Sequence, residues 1–122
     1  VTAMAGAEIL VYPTAIGTLP DEHESEKSEF LDAWKTMQRS HAIANGCFVA
    51  SINRVGEEGG TRFWGNSFVC GPFGQLISEE NEQEGFITAD LDFSDIEKYR
   101  HQWPFFRDRR VDEFDSLNRR FF

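Results

Sequence analysis

Ala42-Ile43-Ala44-Asn45-Gly46-Cys47-Phe48-Val49-Ala50-Ser51-Ile52-Asn53 is the stretch on which the fold turns. Before Asn45, Phe30, Trp34, Met37 and His41 recur at steps of four, three and four. That spacing puts them on one face of an α-helix, away from Asp32, Lys35 and Arg39. Asn45-Gly46 ends the helix, because glycine reaches the left-handed conformation that closes a helix C-terminus. Cys47 to Ile52 then runs without a charge, the pattern of a strand buried on both faces. Working backwards, Glu8 to Tyr12 is a second such strand, ended by Pro13.

Outward from this centre the punctuation is regular. Thr14 to Ser25 is a loop rich in Gly, Pro and acid, in which Asp21 and Glu24 have capping-box spacing for the helix that follows. Glu57-Glu58-Gly59-Gly60 is a turn, Thr61 to Cys70 a third strand, and Gly71-Pro72-Phe73-Gly74 turns into a fourth at Gln75 to Ser78. Glu79 to Glu84 is an exposed loop, and Gly85 to Leu91 returns as a fifth strand. Ser94 and Glu97 form a capping box that opens a short helix to Gln102. Strand, helix, strand and then strands joined by short turns predict an α/β fold, a mixed sheet with helices on one face.

The 122 residues allow one domain with a real core. Val1 to Gly6 reads as the last turn of a helix whose beginning is absent, with Gly6 just past its end. The formal net charge of −9 is uneven: residues 98–122 hold seven Lys/Arg against four Asp/Glu, residues 1–97 five against seventeen. An acidic bulk argues against nucleic acid as a partner, since phosphate binding needs a basic surface. No apolar run approaches the ~20 residues of a membrane helix, so no membrane partner is expected. Cys47 and Cys70 lack zinc or redox spacing and read as buried free thiols, which points to a reducing, cytoplasmic setting. His23, His41 and His101 show no paired ligand spacing, so no metal site is expected.

Several blocks carry a resemblance through their order and spacing together. They are Ala42 to Gly46, Ser51-Ile52-Asn53-Arg54-Val55-Gly56, Phe63-Trp64-Gly65-Asn66-Ser67-Phe68-Val69, Gly71 to Gly74, and Trp103-Pro104-Phe105-Phe106-Arg107-Asp108-Arg109-Arg110. The series resembles the carbon–nitrogen hydrolase (nitrilase) superfamily, most closely its N-carbamoylputrescine amidase branch, and only the C-terminal part of it. The resemblance implies roughly the C-terminal half of a four-layer α-β-β-α sandwich, with residues 1–97 in the hydrolase domain and 98–122 a helix and tail packing on it or on a partner. Alone, such a half is expected to expose sheet edges and apolar surface.

The family's Glu, Lys and Cys, which serve as base, oxyanion partner and nucleophile, fall upstream of the match. No catalytic residue is therefore assigned, and the chain by itself is expected to be inactive. The resemblance implies no cofactor. It implies a small-molecule carbamoyl amine or amide as the parent's substrate, N-carbamoylputrescine first, giving putrescine, carbon dioxide and ammonia. Another amidase, ureidopropionase or nitrilase activity is the alternative within the class, and a non-catalytic interaction module the alternative outside it.

What survives here is expected to be pocket wall. Tyr12-Pro13-Thr14-Ala15-Ile16-Gly17 matches the stretch that leaves the sheet beside the nucleophile, so Thr14 and Ala15 are candidate substrate-binding residues. Trp64 either lines the pocket or packs in the core. The acidic loop Pro20 to Glu24 lies where carboxylates could attract a cationic substrate. Cys47 with His41 could be read as a nucleophile pair, against the simpler reading of a core thiol and a packed ring. The aromatic tail, with Trp103, Phe105, Phe106, Phe114, Phe121 and Phe122, is expected to pack on the sandwich or on a second subunit of a homo-oligomer, with Trp103, Phe105 and Phe106 substantially buried and Arg109 and Arg110 meeting acidic or carbonyl partners.

Overall fold

The computed structural model describes residues 1–118. Its centre is a strand–helix–strand unit: β1 (Ile9–Thr14), α1 (Lys27–Asn45) and β3 (Phe48–Asn53), the two strands pairing in parallel from Ile9 against Phe48 to Thr14 against Asn53. Then β6 (Phe68–Cys70) joins β3 antiparallel, and β7 (Leu76–Glu79) joins β6, giving a four-stranded sheet in the order β1-β3-β6-β7. A second sheet of three antiparallel strands stands at one end, in the order β2-β5-β4, from β2 (Gly17–Thr18), β4 (Val55–Glu58) and β5 (Thr61–Trp64). A short helix, α2 (Ser94–Gln102), follows. The fold is α/β, as the pattern predicted.

Alternation along the strands sorts their side chains onto two faces. Trp34 and Ala42 of α1 cover one face and form the core with Val49, Phe68 and Cys70. Within that core the Trp34 and Phe68 rings meet edge to face at 5.6 Å, a geometry worth about 0.5–1.5 kcal/mol beyond its burial. The other face carries Val11 beside Ala50 and Pro13 beside Ile52, with Val69 beyond Ala50. Phe48, at one end of that face, is buried against Phe93, but further along it is bare: Val11 is 56% exposed and Ile52 51%. Pro13 does not end β1 but continues it, which an edge strand tolerates because one side of it makes no ladder.

Several expectations are corrected. The buried side of α1 is not the Phe30, Trp34, Met37, His41 face: Trp34 is buried and His41 half-buried, but Phe30 and Met37 are 44% and 57% exposed. The helix instead turns Leu31, Trp34, Gln38 and Ala42 inward, because a small residue at Ala42 lets the helix sit close to the sheet. The stretch Thr61 to Cys70 is two strands in two sheets, broken where Gly65 (φ 60°) and Asn66 (φ 57°) are both left-handed. Gly85 to Leu91 joins no ladder among the described residues, although exposed and half-buried side chains alternate along it from Phe86 to Leu91, with Phe86 88% exposed.

The caps also differ. No side-chain cap opens α1, which follows a 3-10 turn at Glu24–Glu26 instead of an Asp21–Glu24 box. Before α2, Asp92 takes the role expected of the Ser94–Glu97 box, its Oδ1 accepting from the Ser94 N–H at 3.0 Å and the Ser94 hydroxyl at 2.7 Å. Gly46 closes α1 as expected, with φ 53° and its N–H on the last carbonyls.

The tail packs only in part. Phe106 is half-buried under the guanidinium groups of Arg100 and Arg109, 5.1 and 5.6 Å from its ring. Trp103 and Phe105 remain 49% and 46% exposed, so the chain's own sandwich does not bury them as expected. The arginine partners are those anticipated: Arg109 donates to the Phe106 carbonyl at 2.7 Å, and Arg110 pairs with Asp112 and Glu113 at 2.8 and 2.9 Å. Phe121 and Phe122 lie outside the described residues.

Candidate functional site at the strand ends

Parallel β1 and β3 finish side by side at Thr14 and Asn53, and in open α/β sheets such carboxyl ends are where ligands bind. Beyond Thr14 the chain leaves the β1–β3 ladder, and the backbone of Ile16 needs new partners before β2 meets β5. Asn53 supplies them with its side chain. Its Oδ1 accepts from the Ile16 N–H at 2.9 Å and lies 3.2 Å from the Thr14 hydroxyl, while its Nδ2 donates to the Ile16 carbonyl at 3.1 Å and the Gly65 carbonyl at 3.0 Å. Ser67 adds a clasp, accepting the Asn53 N–H at 3.0 Å. Asn53 is 6% exposed, so these bonds stand in place of water.

The three residues singled out in the sequence meet around this amide but differ in what they offer. Thr14 turns its hydroxyl inward, toward the Ile52 carbonyl and Asn53 Oδ1. Ala15 is exposed at the loop's outer edge. Trp64 is 2% exposed; its N–H donates to the Ile16 carbonyl at 3.2 Å and its indole Nε1–H to the Thr18 hydroxyl at 2.9 Å. It joins the loop to β5 and packs there. Gly17 makes that approach possible, since a Cβ would collide with the Arg62 carbonyl.

Beside Asn53 a cavity of about 490 Å³ opens between the bare sheet face and the chain after β7, with Ile52, Ser67, Val69 and Phe86 in its lining and Glu80 and Glu84 at hand. Its size suits a small organic ligand. The acidic loop has exposed Asp21 and His23, while the Glu22 carboxylate accepts the Leu19 N–H at 2.8 Å and so shapes its own turn.

Neither thiol is placed for chemistry. Cys47 and Cys70 are fully buried; burial pushes Cys47 up and Cys70 up to about 11, the nearby Arg100 and Arg39 opposing this only in part. His41 is stacked on Tyr12 at 5.8 Å, in keeping with the reading of a core thiol and a packed ring. Among the described residues no group of His, Cys, Asp and Glu could hold a metal ion, and no helix is long and apolar enough to cross a membrane.

Asn53 and Ser67 were not singled out from the sequence. A polar residue closing an otherwise apolar strand was the available signal, because a buried amide must find partners.

The sheets and helices define an α/β fold with a candidate site at its strand ends, and the comparisons place it in a family. Residues 1–101 match the family described as carbon-nitrogen hydrolase, and the chain belongs to that family. It is similar to the N-carbamoylputrescine amidase of Oryza sativa subsp. japonica, 37% identical over 123 residues, which cover 93% of this chain and 40% of the relative. It is also similar to the citrullinase of Francisella tularensis, 33% identical over 126 residues, 99% of this chain and 43% of that one. Among solved structures, a carbon-nitrogen hydrolase from Helicobacter pylori superposes with a TM-score of 0.94 at 42% identity, over 98% of this chain and 44% of that chain. The chain thus spans about two-fifths of the length of these relatives.

Proposed function

We propose that this chain is the C-terminal part of a carbon–nitrogen hydrolase whose whole form removes the carbamoyl group from N-carbamoylputrescine, giving putrescine, carbon dioxide and ammonia. The observation that carries the reading is the 37% identity to the rice N-carbamoylputrescine amidase across 93% of the chain. The bare sheet face supports a larger whole, since apolar strand surface of this kind is normally covered. In this reading the chain supplies pocket wall through the Thr14–Ile16 loop, with Ala15 its exposed point and Trp64 behind it. The nucleophile, base and oxyanion partner come from the remainder of the enzyme. The chain alone does not hydrolyse amides, and Cys47→Ser or Cys70→Ser changes nothing in turnover.

The similarity to a citrullinase favours one second reading, a ureido amino acid as substrate. Both substrates present a carbamoyl-substituted nitrogen and a distant ammonium group, and they differ in the carboxylate that citrulline adds. The test is to express the complete reading frame that contains these residues and compare product release from the two substrates and from a simple amide. Preference for N-carbamoylputrescine is the expected result. Turnover of citrulline alone would move the assignment, and absence of a Glu, Lys and Cys from the complete frame would leave only the non-catalytic module.

A further inference from the structure

A carboxamide has two acceptor sites and two donor hydrogens, and Asn53 has a partner at each of them. Three of the contacts go to the loop leaving β1, to the Thr14 hydroxyl and to both backbone groups of Ile16. The fourth holds the Gly65 carbonyl, at the turn where two consecutive residues are left-handed. The parallel ladder makes its last bond from the Arg54 N–H to the Thr14 carbonyl at 3.1 Å. Past that point the Asn53 side chain takes the position a neighbouring peptide would have had. It engages N–H and C=O of the same residue, as a strand partner does.

We infer that Asn53 is the positioning residue of this site. Its amide sets the backbone of Thr14–Gly17 against the Trp64–Gly65 corner and so fixes which groups face a substrate. The inference rests on the reading above that this loop is pocket wall. Because Asn53 Oδ1 and the Ile52 carbonyl both draw the Thr14 hydroxyl inward, the outward groups are those of Ala15 rather than the threonine oxygen. Asn53 makes three bonds to this loop, so its loss falls on the site rather than on the core, where Val49, Phe68 and Trp34 lie on other bonds and contacts. That separation makes the inference testable.

Two variants serve, Asn53→Ala and, as a control in the same strand, Val49→Ala, which opens a cavity in the core without touching the amide network. The first measurement is amide hydrogen exchange on the complete protein that contains these residues. Asn53→Ala should speed exchange at Ile16 and Trp64 about tenfold or more relative to the β1–β3 ladder amides, whereas Val49→Ala speeds the protected amides together. Uniform loosening by both variants would overturn the inference. The second measurement uses the complete reading frame with a substrate it turns over. Asn53→Ala should lower kcat about tenfold or more with a smaller change in KM, as misplacement of a positioned group does, while Val49→Ala retains kcat below its melting temperature. Selective loosening with kcat unchanged would also overturn it. If the unsubstituted enzyme turns over no carbamoyl or amide substrate, the functional proposal fails, and exchange alone decides whether Asn53 positions the loop.

Discussion

The indole of Trp64 separates a pocket-lining role from a packing role, and a double-mutant cycle with Thr18 reads which it plays. Both groups are shielded, Trp64 at 2% and Thr18 at 8% exposure, and a 2.9 Å bond from Nε1–H to Oγ1 joins their side chains. Trp64→Phe deletes the donor and leaves a buried hydroxyl unpaired; Thr18→Val deletes the acceptor and leaves a buried N–H unpaired. Each orphaned group costs about 1–3 kcal/mol in addition to any loss of packing. With both substitutions no orphan remains, so the double variant should be more stable than the sum of the singles predicts by about 1 kcal/mol or more. That is measurable against a total stability of about 5–15 kcal/mol for a domain. Urea unfolding followed by far-ultraviolet circular dichroism gives the three differences without relying on the altered fluorescence. Additivity of the singles within about 0.3–0.5 kcal/mol would refute the reasoning and release the indole to face a substrate.

Ile52→Lys, on the bare sheet face, should reduce self-association and binding of an apolar dye by the 122-residue chain; light scattering identical to the unsubstituted chain would show that this face is not adhesive. Burial holds the Cys70 thiol protonated up to about 11, above its ordinary 9.0. The folded chain then keeps a proton that the unfolded chain loses, so stability is full below about pH 9 and falls as pH rises toward 11, and Cys70→Ala should flatten that slope. In the complete enzyme, neutralising Asp21, Glu22 and Glu24 to Asn or Gln should weaken use of N-carbamoylputrescine and its salt dependence while sparing a neutral analogue; equal losses on both would confine these residues to shaping the turn. Deleting residues 103–122 from the complete enzyme should lower the oligomeric mass or cause aggregation, because half-exposed Trp103 and Phe105 are the ring types that interfaces bury. An unchanged soluble oligomer would exclude the tail from assembly.

The parts of the fold legible in the sequence were those set by local chemistry. Asn45-Gly46 closes α1 as expected because glycine alone reaches that conformation without strain, and Cys47 to Ile52 gives β3 almost to the residue. The split between β5 and β6 was hidden, since both halves are apolar and aromatic and only the paired left-handed angles at Gly65 and Asn66 divide them. The inward face of α1 was misread because its close contact depends on Ala42 and on Gln38, residues that no hydrophobic count selects. Gly85 to Leu91 has the alternation of a strand, but a ladder needs a second backbone and the described residues provide none there. At the candidate site, Thr14, Ala15 and Trp64 were proposed through resemblance. The network that joins them was not, because Asn53 lies 39 residues from Thr14 and only the closed sheet brings the two together.

That long reach has a consequence for biogenesis. The β4–β5 hairpin can close as soon as its own residues exist, within microseconds. The β1–β3 pairing has to wait. At ribosomal rates of about 5–20 residues per second, β3 emerges roughly 2–8 seconds after β1, and until then Ile9-Leu10-Val11-Tyr12 lacks the β3 strand that pairs with it. A nascent apolar segment exposed for seconds is what hydrophobic-binding chaperones hold. Between these two pairings the return of β3 to β1 is the slower, and a substitution that merely delays α1 is expected to lower the yield of folded chain while leaving the stability of the finished one nearly untouched.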